Sequence, residues 1–244
     1  MRSRTPRASS PAVAVLVDYD GTVVTRDISD DLVRRFASVE AWAALDSAYR
    51  RGDIGSRALL EAETQLLPRE PAALAEVVMP QPLDPGFRTF VEFARSIGIA
   101  IEVVSDGLGF FVATGLADLG LGDLPVYAAE MVFGSTGPAI RFPNGHPICM
   151  VCGTCKRDRI LTHQASGRHV IYVGDGHSDQ YAAAYADTLF AKSELADLCD
   201  RRGIAYQPWT TFSDIQIWLD RALRRADLGM PPSRPFICGP EAQA

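Results

Sequence analysis

The sequence predicts an α/β fold: a doubly wound, mainly parallel sheet with a small α-helical segment inserted after the first strand. Three observations predict it. Short apolar runs at 12–17, 100–104 and 169–173 read as strands, and the first, uninterrupted and rich in β-branched residues, reads as one buried on both faces. From residue 83 onward such runs alternate with stretches of helical period, the order that builds a parallel sheet. Between 26 and 82, apolar residues recur at helical spacing only.

Taken in order, residues 1–11 carry Arg and Ser and read as a disordered start. The apolar run behind them is too short for the hydrophobic region of a signal peptide, and no stretch reaches membrane-spanning length. That run stops at Asp18, Asp20 and Gly21. In the insert, Leu32, Val33, Phe36 and Val39, then Trp42, Leu45 and Tyr49, then Leu59, Leu60, Leu66 and Leu67 carry the helical period. Gly52, Gly55, Pro68 and Pro71 punctuate it. A Pro-Gly-rich break at 80–86 returns the chain to alternating elements: a helix over 87–97, the 100–104 strand, and a helix over 110–119. Strands at 126–133 and 139–142 suit a hairpin, and a helix covers 154–164. After the 169–173 strand come a helical turn at 180–185, a final strand at 188–191 and a closing helix at 212–224. The expected division is a core of 12–25 and 83–226, a helical cap of 26–82, and flexible tails at 1–11 and 229–244.

A chain of 244 residues, 47% hydrophobic and 22% charged, can bury a full core. Its net charge of −6 offers no basic field to nucleic acid or to an anionic membrane. Five cysteines with no secretion signal argue for a reducing, cytoplasmic setting. Oligomeric state is left open between monomer and homodimer.

The chemistry gathers at three strand ends: Asp18-Tyr19-Asp20-Gly21-Thr22, Ser105-Asp106-Gly107, and Gly174-Asp175-Gly176-His177-Ser178-Asp179. Each alone is a plausible turn. Asp18 and Asp20 nevertheless point the same way, because strand side chains repeat every second residue. Like charges that close call for a cation or a proton. Lys156, opening a helix between the second and third strand ends, adds a fixed positive charge. Carboxylates for a divalent cation, a hydroxyl and backbone N–H groups for phosphate oxygens, and one ammonium are the equipment of phosphoryl transfer.

This order of motifs, Asp-x-Asp-Gly-Thr, Ser-Asp-Gly, Lys, then Gly-Asp-Gly-x-x-Asp, resembles the haloacid dehalogenase superfamily over about residues 12–225. The helical insert resembles the cap of its phosphoserine-phosphatase-like branch, standing on a Rossmann-like core. Cys-Gly-Thr-Cys-Lys at 152–156 is similar to the branch acting on 2-hydroxy-3-keto-5-methylthiopentenyl-1-phosphate in methionine salvage. The resemblance implies a Mg²⁺-dependent phosphatase of a small phosphomonoester. Asp18 would attack phosphorus and carry an aspartyl-phosphate, and Asp20 would serve as acid and then base. Mg²⁺ would sit on Asp18, the Asp20 main-chain carbonyl and Asp175, with Asp179 orienting a bound water or Lys156. Ser105, Asp106, Gly107, Thr22 and Lys156 would bind the phosphoryl group, and Asp27 and His177 would face substrate.

Alternatives remain open from the sequence. Asp27 and His177 also suit helix caps. Glu63 falls where phosphoserine phosphatases carry a carboxylate-gripping Arg, which disfavours phosphoserine. A phosphocholine or phosphoethanolamine phosphatase would draw on Trp42 and Tyr49. A phosphotransferase would send the phosphoryl group to an alcohol, and a non-catalytic binding protein would keep the fold alone. His146, Cys149, Cys152 and Cys155, at three-residue steps, could hold Zn²⁺ or be reduced, partly buried thiols. Tyr19, on the opposite side of its strand, reads as packing, as do Trp42, Trp209 and Trp218. His163 and His169 read as structural residues without nearby partners.

Overall fold

The computed structural model describes residues 12–75, 81–135, 137–229 and 238. Strand β1 (Val13–Val17) is buried along its whole length and occupies the middle of a seven-stranded sheet. It pairs in parallel with β2 (Ala100–Leu108) on one side and β5 (His169–Gly174) on the other. Beyond β2 lie β3 (Val126–Gly134) and, antiparallel to it, β4 (Gly137–Arg141), the expected hairpin. Beyond β5 lie β6 (Thr188–Ala191) and β7 (Gln207–Pro208). The strand at 188–191 is therefore not the last. A two-residue edge strand ending in proline carries no periodic pattern to read.

Alternation along β1 divides the interior. Val13, Val15, Val17 and Tyr19 pack into one core with α5 (Phe87–Ser96), α6 (Gly109–Asp118) and α10 (Phe212–Arg225). Ala14 and Leu16 face the other, with α7 (Lys156–Ala165), α8 (Gln180–Ala183) and α9 (Ser193–Arg202). Helices thus cover both faces, which is why the central strands read as continuous apolar runs. The tail expected to be loose lies outside the described residues except for Gly229 and Cys238, and Cys238 is buried in the second core.

Between Val24 and Leu83, which meet in an antiparallel bridge, the described residues form helices α1 (Ile28–Phe36), α2 (Val39–Arg51), α3 (Ser56–Thr64) and α4 (Pro71–Ala75). Local signals set the boundaries. The Asp27 carboxylate caps α1 by accepting the Asp30 N–H, Ser38 caps α2 in the same way, and Gly52 in left-handed conformation ends α2. Paired stems at Thr25–Pro82 and Val23–Asp84 return the chain to the core. No helix among the described residues is long and apolar enough to cross a membrane.

β2 runs further than expected. Ser105, Asp106 and Gly107 belong to the strand, with its register against β3 shifted between Val104 and Leu108. Such an irregularity bends a strand end and re-aims its side chains.

Candidate active site

The carboxyl ends of β1, β2 and β5 lie side by side where the sheet order reverses, the usual ligand crevice of an open α/β sheet. Lys156, only 3% exposed, is the hub. Its Nζ donates to Asp18 Oδ1 at 2.8 Å, Asp179 Oδ1 at 2.6 Å and Ser178 Oγ at 2.8 Å, committing all three protons. Burial alone would drive the ammonium toward neutrality. Asp179 and Asp18 outweigh it and hold the lysine well above its ordinary range.

Asp179 is fully occupied by protein. Oδ1 also accepts the Tyr172 hydroxyl at 2.5 Å, and Oδ2 accepts the N–H groups of Asp175 at 3.0 Å and Gly176 at 3.1 Å. Four bonds fill its acceptor sites, so it positions Lys156 and the Asp175 loop without a lone pair to spare for an ion. Asp175 differs: one oxygen accepts the buried Thr22 hydroxyl at 2.9 Å. Thr22, expected among the phosphate-binding residues, instead braces Asp175 and is absent from the cleft lining. Gly21 explains the fit of this loop. Its φ is +74°, and a Cβ there would meet Asp175 Oδ2 at 2.1 Å.

The Asp20 carboxylate accepts the Ile28 N–H at 2.8 Å and the Ser29 hydroxyl at 3.4 Å. Gly107 lets it lie there, because a Cβ on Gly107 would come within 2.2 Å of Asp20 Oδ2. Burial, then Asp27, push the Asp20 carboxyl well above the usual range, against the Ile28 N–H. Ser105, buried at the cleft floor, accepts the Gly107 N–H at 2.9 Å. Asp106 lines the floor too, and its carboxylate ties down Thr154 N–H at 2.6 Å, two residues before Lys156.

Carboxylate oxygens of Asp18, Asp175 and Asp179 lie within 4.8 Å of one another, the one cluster of this kind among the described residues. Burial first, then Asp179, raise Asp18 well above an ordinary carboxyl, with Lys156 opposing. Burial and Asp179 push Asp175 up to about 7. Three carboxylates facing one ammonium leave two negative charges, which a divalent cation with hard oxygen ligands would balance. Asp18 and Asp175 retain oxygens for it, so the residues present fit such an ion.

His146, Cys149, Cys152 and Cys155 are all described, yet they do not converge as ligands, and His146 Nδ1 accepts the backbone N–H groups of Ile148 at 3.2 Å and Cys149 at 3.0 Å. That nitrogen braces a turn, and the cluster reads as thiols.

Above the floor, the helices of the insert roof a cleft of about 520 Å³ lined by Asp27, Trp42, Tyr49, Glu63 and His177 among others. Asp27 caps α1 and also lines the cleft, so both readings of it hold structurally. Burial raises its carboxyl to about 6. His177 opens a 3-10 turn (His177–Asp179), packs its ring edge-on to Tyr49 and is kept below the ordinary histidine range by burial. Arg50 reaches from α2 to Glu194 at the start of α9, 2.6 Å away, joining roof to core. Trp42 lines the cleft and is partly buried against the core. Tyr19 packs as expected, with its hydroxyl on Gln81 at 2.5 Å. His163 and His169 do have partners: Arg168 at 3.3 Å from Nδ1 of the first, Thr188 at 2.8 Å for the second. Sequence reasoning missed Ser178, Tyr172 and the Arg50–Glu194 pair. Only Ser178, inside the third motif, carried a local signal.

Comparison with known proteins supports the same assignment. The model of the haloacid dehalogenase-like hydrolases matches residues 15–184. A 2-hydroxy-3-keto-5-methylthiopentenyl-1-phosphate phosphatase from Exiguobacterium sibiricum is 32% identical over 209 residues, covering 83% of this chain and 94% of that protein. Its namesake from Brevibacillus brevis is 30% identical over 210 residues, with 84% and 94% covered. Among solved structures, a phosphoserine phosphohydrolase-like protein from Francisella tularensis shares the fold, with TM-score 0.64, 17% identity, and 85% of this chain and 99% of that chain covered. With the motif-bearing core matched throughout and these relatives covered almost end to end, the chain belongs to the haloacid dehalogenase-like hydrolases, as one of their phosphoric monoester hydrolases.

Proposed function

We propose that this protein hydrolyses a small keto or sugar-like phosphomonoester with Mg²⁺, through an aspartyl-phosphate on Asp18, and that the substrate is the one named for its relatives, 2-hydroxy-3-keto-5-methylthiopentenyl-1-phosphate. The observation carrying this reading is Asp18 held 2.8 Å from a buried lysine, beside Asp175, on the floor of a roofed cleft.

Asp18 attacks phosphorus, aligned by Lys156. Asp20, whose carboxyl burial pushes above the usual range, gives a proton to the departing alkoxide; it then takes one from the water that cleaves the aspartyl-phosphate, which restores Asp18 and releases phosphate. Lys156 offers a proton now shared with Ser178 to a phosphoryl oxygen, and the Ser105 hydroxyl and backbone N–H groups near Tyr19 and Gly107 add donors. A bound Mg²⁺ on Asp18, the Asp20 carbonyl and Asp175 would neutralise the charge of the transferring phosphoryl group. The insert acts as a cap that keeps bulk water out.

The roof argues against phosphocholine. Trp42 already carries the Arg34 guanidinium 4.1 Å from its ring centre, and Tyr49 packs on His177. The test is phosphate release from a broad panel of phosphomonoesters, with Mg²⁺ or chelator, by wild type and Asp18→Asn, with and without added alcohols. Mg²⁺-dependent release lost in the mutant supports the reading. Transfer to the alcohol in place of water would make it a phosphotransferase, and no turnover of any ester by folded protein would leave a binding protein.

A further inference from the structure

One cleft residue has no place in the chemistry just described. Glu63, on α3, lines the cleft, is only 8% exposed, and makes no side-chain hydrogen bond or ion pair among the described residues. Its carboxyl oxygens are not among the enclosed unpaired atoms and so open onto the cleft, where a carboxyl with no protein partner is free to meet one that arrives with the ligand. Burial, followed by Asp27, Asp30 and Asp46, raises this carboxyl to about 8, so it keeps its proton at neutral pH.

The charges around it narrow what that partner is. Three arginines line the cleft, and each is committed: Arg26 to Asp31 at 2.5 Å, Arg34 to Asp30 at 3.6 Å, and Arg50 to Asp46 at 2.8 Å and Glu194 at 2.6 Å. A substrate carboxylate would find no unpaired cation in the roof and would meet Asp27, Asp30 and Asp46. A quaternary ammonium would find the indole of Trp42 already covered by Arg34. An uncharged oxygen suits both conditions.

We propose that Glu63 is a specificity-determining residue, donating a hydrogen bond from its carboxylic acid to an uncharged carbonyl or hydroxyl oxygen on the part of the substrate remote from the phosphate. This rests on the phosphatase reading and deepens it. It makes the substrate class oxygenated and neutral beyond its phosphate.

The test is a length series of ω-hydroxyalkyl phosphates, matched n-alkyl phosphates and matched ω-carboxyalkyl phosphates, with kcat/KM measured for wild type, Glu63→Gln and Glu63→Leu. At the best chain length, wild type prefers the hydroxyl ester to the alkyl ester at least about tenfold, with the carboxylate ester poorest. Glu63→Gln, still a neutral donor, keeps that preference within about threefold. Glu63→Leu brings the hydroxyl-to-alkyl ratio close to one and melts at or above the wild-type temperature, because an unpartnered carboxyl has been removed. A ratio unchanged in Glu63→Leu, or a wild type that prefers the carboxylate ester, overturns the proposal and leaves the phosphatase reading standing. If no ester turns over, calorimetric binding of the same series to Asp18→Asn protein decides. The same order of affinities, lost in the Leu double variant, supports Glu63 while the hydrolase reading falls, and equal affinities sink both.

Discussion

Replacing Lys156 by Met removes the sole ammonium at the hub and keeps most of the side-chain volume. The side chain is 3% exposed, and its partners Asp18 and Asp179 are comparably buried. Removing one member of a buried ion pair costs about 3–5 kcal/mol, because the remaining charge is stranded. The pH dependence follows from the signs of the shifts. Lys156 is held above its ordinary value, so its own contribution is fully present below the unfolded lysine value and constant between pH 5.5 and 8. Asp18 and Asp175 are raised, so the folded state binds protons that the unfolded chain has lost, and stability falls as pH rises. Without Lys156 these carboxyls rise further, and each extra proton held changes stability by about 1.4 kcal/mol per pH unit. Urea unfolding in chelator should therefore show a deficit of about 3–5 kcal/mol at pH 8 that narrows by roughly 2–3 kcal/mol at pH 5.5. Activity should fall by at least about a hundredfold. A deficit below about 1 kcal/mol, or one flat across this range, would refute the view of Lys156 as the counter-charge of the cluster.

Two further substitutions probe the scaffold of the site. Gly107→Ala should displace the Asp20 carboxyl, since the new Cβ would lie 2.2 Å from it; alkyl esters, which need a proton on the leaving oxygen, should lose far more rate than p-nitrophenyl phosphate. Equal losses for both esters would place the damage elsewhere than Asp20. Thr22→Val removes the hydroxyl that braces Asp175 at the same shape; the Mg²⁺ concentration for half-maximal activity should rise about 10–100-fold. An unchanged Mg²⁺ dependence would show that this hydrogen bond does not orient the ion's ligand.

The parts of this site that could be read from sequence are those written locally. Asp18, Asp175 and Lys156 each follow a buried strand or open a helix, so strand ends and one helix start were enough to bring them together. The Asp27 cap and the Gly52 terminus were legible for the same reason. What stayed hidden depends on pairings between distant segments. The hydroxyl of Thr22 could bind phosphate or Asp175, and only the approach of β1 to β5 decides between them. Glu102 and His163 meet across β2 and α7, and Arg50 meets Glu194 across the cleft. α9 was missed because Leu195, Leu198 and Cys199 form a short stripe among charged residues. The even spacing of His146, Cys149, Cys152 and Cys155 suggested ligands, but regular spacing in an irregular loop carries no shared direction.

The Arg50–Glu194 pair, at 2.6 Å, crosses from roof to core beside His177. Half-exposed pairs of this kind contribute little to stability, so its interest is positional: it links the helix carrying Tyr49 to the start of α9, where the Leu195 N–H donates to the Asp175 carbonyl at 2.8 Å.

The central claim is that Asp18 carries the phosphoryl group, and rapid quenching with borohydride during turnover, followed by peptide mass mapping, tests it most directly. Acyl-phosphate is reduced to an alcohol, so the account predicts homoserine at position 18 in the segment beginning at Ala12, appearing only with substrate and Mg²⁺. Steady turnover with Asp18 unmodified, or a label on any other side chain, would contradict it.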